Sequence, residues 1–217
     1  MSASHQEKPR LVLATANPGK VKELEQLLGG SGVECISLLD RPGYPKVAET
    51  GRTYVENATL KAKAIAAWSG LPALADDSGL EVDALGGAPG VDSAHYAGEQ
   101  ADDTANLRRL LHELREVPEE QRSARFRCVL AVARPDGRVL TSEGVCEGRI
   151  TAEPRGTNGF GYDPVFVPEG SDKTFAELSA EEKHRYSHRA RAARQLRERL
   201  AEFLREAGWK AEALPRS

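Results

Sequence analysis

Residues 72–82, PALADDSGLEV, open with apolar side chains suited to a buried strand and then set Asp76 and Asp77 side by side ahead of Ser78 and Gly79. A buried carboxylate is costly unless a cation or hydrogen bonds meet it, and two neighbours also repel one another. The pair is therefore expected where a strand emerges from the core, the position at which open α/β sheets place their sites. A hard divalent cation would neutralise both. Mg2+ suits such a set, because it takes few carboxylates and completes its shell with water and substrate phosphates. Glu49 could complete the set, and the alternative is that one aspartate caps a turn over Asp-Ser-Gly.

The flanking sequence supplies the elements that would hold such a site. RLVLATA reads as a strand, and NPGKVKELEQLLGG as a helix with Asn17 as N-cap, Pro18 in its first turn and an apolar face of Val21, Leu24, Leu27 and Leu28. VECISLL predicts a second strand, and TYVENATLKAKAIAAWSG a helix opened by a Thr53/Glu56 capping box and closed at Gly70. The turn-rich GGAPGVDSAHYAG is expected to be a loop at the mouth of a cleft, followed by a helix over DDTANLRRLLHELREV. Apolar alternation on both sides of PDG predicts an antiparallel hairpin, and GFGYDPVFVP a short strand. From Thr174 the pattern is helical to the end of LREAG, with a Ser179/Glu182 capping box, an inward face of Ala193, Leu196, Leu200, Phe203 and Leu204, and Arg191, Arg194, Arg197 and Arg199 on the solvated face. Strands and helices mix without strict alternation, so the fold class is mixed α/β.

Three further polar clusters break these patterns. TANPGK sits where a strand hands over to a helix, whose free N–H groups and positive dipole end suit a phosphate, although no Walker pattern is present. Glu49 precedes a glycine turn, with Lys61 two turns into the next helix. GFGYDPVF offers Phe160 or Tyr162 as a flat surface for a base and Asp163 as an acceptor, and EEKHRYSHRA adds Lys183, His188 and Arg189 as donors. Each cluster alone also has a structural explanation: a helix cap, a solvated lysine, a buried aromatic. Together they are the parts of a nucleoside triphosphate site.

Charge and cysteines narrow the setting. A net charge of -3 gives no drive toward nucleic acid or anionic lipid, so the expected partner is a small molecule met by a local cationic pocket. Three scattered cysteines without a C-x-x-C pair argue against a zinc cluster or a disulfide framework and for a cytoplasmic protein. No run of apolar residues is long enough to span a membrane, and the polar start MSASHQEKPR lacks a signal-peptide core.

In order along the chain, TANPGK, ETGRTYVENATLKA, ADDSGLEVDALGGAPGVDSAHYAG, GFGYDPVF and SHR resemble the motifs of the inosine triphosphate pyrophosphatase family, over roughly Leu11 to Leu204. The resemblance implies a two-lobed α/β fold around a long central sheet, with the nucleotide in the cleft between lobes, and a homodimer. It implies Mg2+-dependent attack of water between the α and β phosphates of non-standard purine triphosphates (dITP, ITP, XTP), releasing the monophosphate and pyrophosphate. Asp77 matches the family's catalytic acidic residue, with Glu49 and Asp77 toward the metal. Thr15, Ala16, Asn17, Pro18, Gly19, Lys20, Lys61 and Ser78 fall on the triphosphate side, and Phe160, Gly161, Tyr162, Asp163, Lys183, His188 and Arg189 around base and sugar. Ala16 departs from the glycine or serine frequent there. The expected organisation is a flexible extension over 1–10, one two-lobed catalytic domain over 11–207 and a tail over 208–217. An aspartyl-phosphate phosphatase would need D-x-D rather than adjacent carboxylates, and an RNA-binding module a basic aromatic surface.

Overall fold

The computed structural model describes residues 8–41 and 43–205. Most of the expected N-terminal extension, and the tail over 208–217, lie outside the described residues, while Arg10 already belongs to the first strand. The elements run β1 (Arg10–Leu13), α1 (Pro18–Leu28), β2 (Glu34–Ser37), α2 (Tyr54–Ser69), β3 (Ala73–Val82), α3 (Asp103–Glu113), β4 (Ser123–Ala133), β5 (Val139–Ile150), β6 (Phe166–Pro168), α4 (Ala180–Tyr186) and α5 (His188–Arg205), joined by short 3-10 turns. One mixed sheet carries the strands in the order β2-β1-β3-β4-β5-β6. The β1 pairings with β2 and β3 are parallel, and those along β3, β4, β5 and β6 antiparallel.

The three long strands span two lobes. At one end β1 joins β3 only through Ala73 and Leu74; at the other β6 joins β5 only through Gly148, Arg149 and Ile150. Period-2 alternation sends Leu74, Cys128, Leu130 and Val132 to a face covered by α1 and α5. Ala73, Ala75, Val129 and Ala131 go to the opposite face, where the alanine-rich side of α2 (Ala58, Ala62, Ala66) packs on them. Toward the far end, Leu80, Val82, Phe126, Phe166 and Phe175 form a third cluster with Leu110 of α3. Between the two ends, from Ala75 to Gly79, the edge of β3 toward β1 has no strand partner among the described residues. That free edge is the floor of the cleft.

Both expected capping boxes form, Thr53 with Glu56 and Ser179 with Glu182, and Asn17 caps α1 by accepting from the Lys20 N–H at 3.1 Å. The arginines at 191, 194, 197 and 199 lie on the exposed face of α5. The helical stretch that starts at the Ser179 box is divided at Ser187, a residue type suited to a helix cap, whose extended backbone (φ -64°, ψ 144°) ends α4. Its Oγ then caps α5 by accepting from the Ala190 N–H at 3.2 Å. The break turns His188 and Arg189 into the core rather than along a continuing helix face. Gly144 on β5 permits the seat: a Cβ there would stand 2.6 Å from the Ala192 nitrogen and run into the His188 carbonyl, so only glycine lets α5 approach this closely.

Candidate active site

Asp76 and Asp77 do not sit at a strand end. β3 continues through them to Val82, so the polar Asp-Asp-Ser-Gly run is the middle of a ten-residue strand and neither a turn nor its exit from the core. This corrects the expected placement, and it changes the electrostatics. Successive side chains of a strand point to opposite faces, so each aspartate, both almost fully buried, finds its own cation.

On the α1/α5 face, Asp76 receives Lys20 Nζ at 2.5 Å and Arg189 Nε at 2.8 Å. The Ser78 hydroxyl donates to it at 2.9 Å and the Cys128 thiol at 3.1 Å. Burial pushes its carboxyl up, but Arg189 and Lys20 outweigh burial and hold it well below the usual carboxylate range. Arg189 is itself fully buried and also binds Glu23 of α1, through Nη1 at 2.5 Å. Lys183 of α4 joins the same Glu23 at 2.7 Å and Asp163 at 2.6 Å. Burial raises Asp163 more than Lys183 lowers it, whereas for Glu23 the two cations overcome burial and bring the pKa to about 2. The donors expected for a base, Lys183 and Arg189, are thus anchored by carboxylates, and each keeps N–H capacity toward the cleft. His188 lies face to face with Phe126, ring centroids 4.7 Å apart, and burial followed by the neighbouring cations Arg189 and Lys183 keeps it neutral. Its Nδ1 is buried without a partner.

On the α2 face, Lys61 Nζ bridges Asp77 at 2.8 Å and Glu49 at 3.0 Å. Burial pushes Asp77 up to about 6 against the pull of Lys61, with Glu49 adding to the rise. Lys61 stays above its ordinary value, because two carboxylates outweigh its own burial. The second oxygen of Asp77, Oδ2, is buried and accepts no hydrogen bond. No group of three or more His, Cys, Asp or Glu side chains is gathered at metal-binding distance among the described residues. Two oxygen donors, one of them unpartnered, do not make a closed protein cage, but they fit a hard cation that draws its other ligands from water and a polyphosphate.

Around the free edge of β3 the other expected residues gather. Asn17 and Lys20 at the start of α1, with Ser78, wall one side of a cavity, and Phe160, Tyr162 and His188 wall the other. Thr15 Oγ1 accepts from the Asn17 N–H at 3.2 Å, fixing the turn that carries Ala16 and Pro18 into α1. Gly19 lies against the Phe160 ring; a Cβ on it would come within 2.5 Å of Cδ1, so this glycine lets the two lobes touch. Lys183 Nζ sits 5.1 Å from the centroid of the same ring. Gly161 and Asp163 also line the cavity, whereas Glu49, Lys61 and Asp77 stand outside it, on the opposite face of the sheet.

Glu23 escaped the sequence reading, which took only the apolar stripe of α1. Its position three residues after Lys20 puts both on one helix face and was the available signal. Phe126, under His188, carried no signal beyond its place in the hairpin.

Comparison with known proteins identifies the family. The model of the Ham1 family matches residues 11–199. The dITP/XTP pyrophosphatase of Halalkalibacterium halodurans is 53% identical over 185 residues, covering 85% of this chain and 95% of that protein. The dITP/XTP pyrophosphatase of Bacillus subtilis is 51% identical over 185 residues, covering 85% of this chain and 93% of that protein. The structure of a HAM1 protein from Coxiella burnetii superposes with a TM-score of 0.80 at 43% identity, covering 89% of this chain and 99% of that one. With a family model spanning most of its length and relatives above half identity, the chain belongs to the Ham1 family.

Proposed function

We propose that this chain hydrolyses the α–β phosphoanhydride bond of non-standard purine nucleoside triphosphates, dITP, ITP and XTP, to the monophosphate and pyrophosphate, removing them from the nucleotide pool. The observation that carries the reading is the unpartnered, buried Oδ2 of Asp77 on β3, whose other oxygen is bound by the Lys61 ammonium that also holds Glu49. The names of the similar proteins support it.

Glu49 and Asp77 would hold Mg2+, which when bound supplies neutralisation of phosphate charge and polarises the phosphorus toward attack. Asp77, whose buried Oδ2 has no hydrogen-bond partner, is the carboxylate placed to orient the attacking water or take its proton. Lys20 and Lys61 offer ammonium donors to phosphate oxygens from opposite faces of β3, and the first turn of α1 presents its N–H groups to the same charge. Ser78 lies between Asp76 and Arg189 and orients both. Phe160 gives the base a stacking surface. Lys183 and Arg189, whose directions are set by Glu23, Asp163 and Asp76, donate toward a 6-oxo acceptor; adenine would bring a 6-amino donor against them and leave buried donors unpaired.

The same reading takes the protein as a cytoplasmic homodimer with no nucleic-acid or membrane partner. Its three cysteines are free, and among the described residues no helix is long and apolar enough to cross a membrane.

Pyrophosphate release from dITP, XTP, GTP and ATP, with Mg2+ and with excess EDTA, tests the proposal. The expected outcome is turnover of dITP and XTP over ATP by a factor on the order of 10² to 10⁴, abolished by chelation. Equal rates for all four would overturn the base assignment, and undiminished rates in EDTA the metal assignment.

A further inference from the structure

The loop 159–163 turns on two glycines with positive φ, Gly159 at 74° and Gly161 at 60°, so its backbone is intrinsically loose and its position depends on what ties it down. Two consecutive N–H groups of this loop are captured by carboxylates. The Phe160 N–H donates to Asp163 within the loop at 3.0 Å, and the Gly161 N–H donates to Oδ2 of Asp103, 58 residues away in sequence, at 2.8 Å. Asp103 opens α3, where an acidic residue ordinarily does no more than complement the helix dipole. Here Asp102 already caps the helix, accepting from the Ala105 N–H at 2.7 Å, which leaves the Asp103 side chain to the loop.

The platform behind this tether is rigid. Asn106 of α3 donates to the Ala94 carbonyl at 3.0 Å and accepts from the Ala97 N–H at 2.7 Å, locking α3 to the 90–97 segment. A second long-range tie of the loop runs to the same unit, with the Tyr162 hydroxyl donating to the Ser93 carbonyl at 2.8 Å. Phe160 is therefore held relative to β3 by α3 and the 90–97 segment acting as one body. Asp103 and Tyr162 are the two points at which the loop joins that body, Lys183 of α4 holds it separately through Asp163, and Asp103 itself lines the cavity.

We propose that Asp103 is a positioning residue for the purine half of the substrate: by gripping the Gly161 N–H it sets the ring of Phe160 and the backbone beside Asp163 at the height at which a base stacks. This rests on the functional reading above. Asp103 is exposed, so solvent weakens the bond, and its loss is felt as a loosened base site rather than an unfolded lobe.

The test compares wild type, D103A, D103N and D102A in steady-state kinetics with dITP, in inhibition by dIMP and by pyrophosphate, and in amide exchange of the 159–163 segment. D103A is expected to raise KM for dITP and weaken dIMP about 3- to 10-fold, with kcat changed less than about twofold and pyrophosphate inhibition unchanged. Exchange of the segment should quicken by a similar factor. D103N keeps an oxygen able to accept from Gly161 and should recover most of the affinity, while D102A should lower the melting temperature without selective loss of dIMP. Unchanged KM and dIMP inhibition in D103A, or an equal loss toward pyrophosphate, would overturn the proposal. Failure of the wild type to turn over dITP would instead overturn the functional reading and the ligand named here, and exchange of the segment would still judge the tether.

Discussion

On the α1/α5 face of β3, Asp76 accepts from Lys20, Arg189, Ser78 and Cys128; one residue later, on the α2 face, Asp77 accepts from Lys61 alone and leaves Oδ2 unpartnered. Both carboxylates are buried, yet Asp76 is held far below its ordinary pKa and Asp77 raised to about 6. The contrast separates scaffold from chemistry. The first side is finished by the protein, charge against charge, and orders three helices around one strand. The second is left short of a cation, a state that costs stability and that a ligand can relieve. The adjacent acids repel little because the pleat of the strand divides them, so the proposed metal would serve one of them rather than the pair.

The sharpest way to break this comparison is to neutralise each aspartate in turn. Asp77→Asn should lower turnover by a factor of roughly 10² to 10⁴, the usual range for a lost general base, while thermal unfolding and retention of nucleotide stay near wild type. Its lost contact is a single one to Lys61, which keeps Glu49. Near-normal turnover in this variant would remove Asp77 from the reaction and with it the distinction between the two faces.

Asp76→Ala should do the reverse, striking the fold before the chemistry. Removing one member of a buried ion pair leaves the other uncompensated and costs about 3–5 kcal/mol. Arg189 would keep only Glu23 and the Ser78 hydroxyl. For a chain of this size that corresponds to a fall in melting temperature of about 6–20 °C. A scanning calorimetry trace that leaves Asp76→Ala within a degree or two of wild type would show that the network on this face carries no stability.

How far this organisation could be read in advance follows the range of the interactions that make it. Asn17, the Thr53/Glu56 and Ser179/Glu182 boxes and the PDG hairpin are set by contacts within a few residues, and the structure contains them where the sequence places them. The free edge of β3 comes from the shortness of β1, a matter of sheet order that no local pattern encodes. Asp-Asp-Ser-Gly looks like a turn because its residues favour turns; tertiary pairing with Val129 and Cys128 of β4 overrides that preference and keeps the strand going. The break at Ser187 has no glycine or proline to mark it; the serine's suitability as a helix cap is the local signal, and the burial of His188 and Arg189 accompanies it. The structure brings Asn17, Lys20, Ser78, Phe160 and Tyr162 to one cavity as the sequence grouped them, whereas the division of the charges between two faces was not legible, because it depends on Glu23, a residue that looks solvated on its helix until Lys183 and Arg189 arrive from 160 and 166 residues away.

Glu23 also gives the finished face a signature in acid. Burial raises its pKa, but Arg189 and Lys183 more than reverse the effect and set it at about 2, against an ordinary value of 4.5. Because the folded pKa is depressed, its contribution is complete above the ordinary value and is lost as pH falls from about 4.5 toward about 2. The difference in pKa corresponds to roughly 3 kcal/mol. Little of the side chain reaches solvent, so screening removes only part of this. In Glu23→Gln the two cations lose their shared carboxylate at every pH. The variant should be less stable than wild type at neutral pH, flatter through the acid limb, and nearly coincident with wild type at the bottom of it. Urea unfolding of both proteins at intervals between pH 6 and pH 2 measures the gap. A gap that stays constant through that range would mean that Glu23 is not ionised between its two cations, and that the closed network opposite Asp77 is held by Asp76 alone.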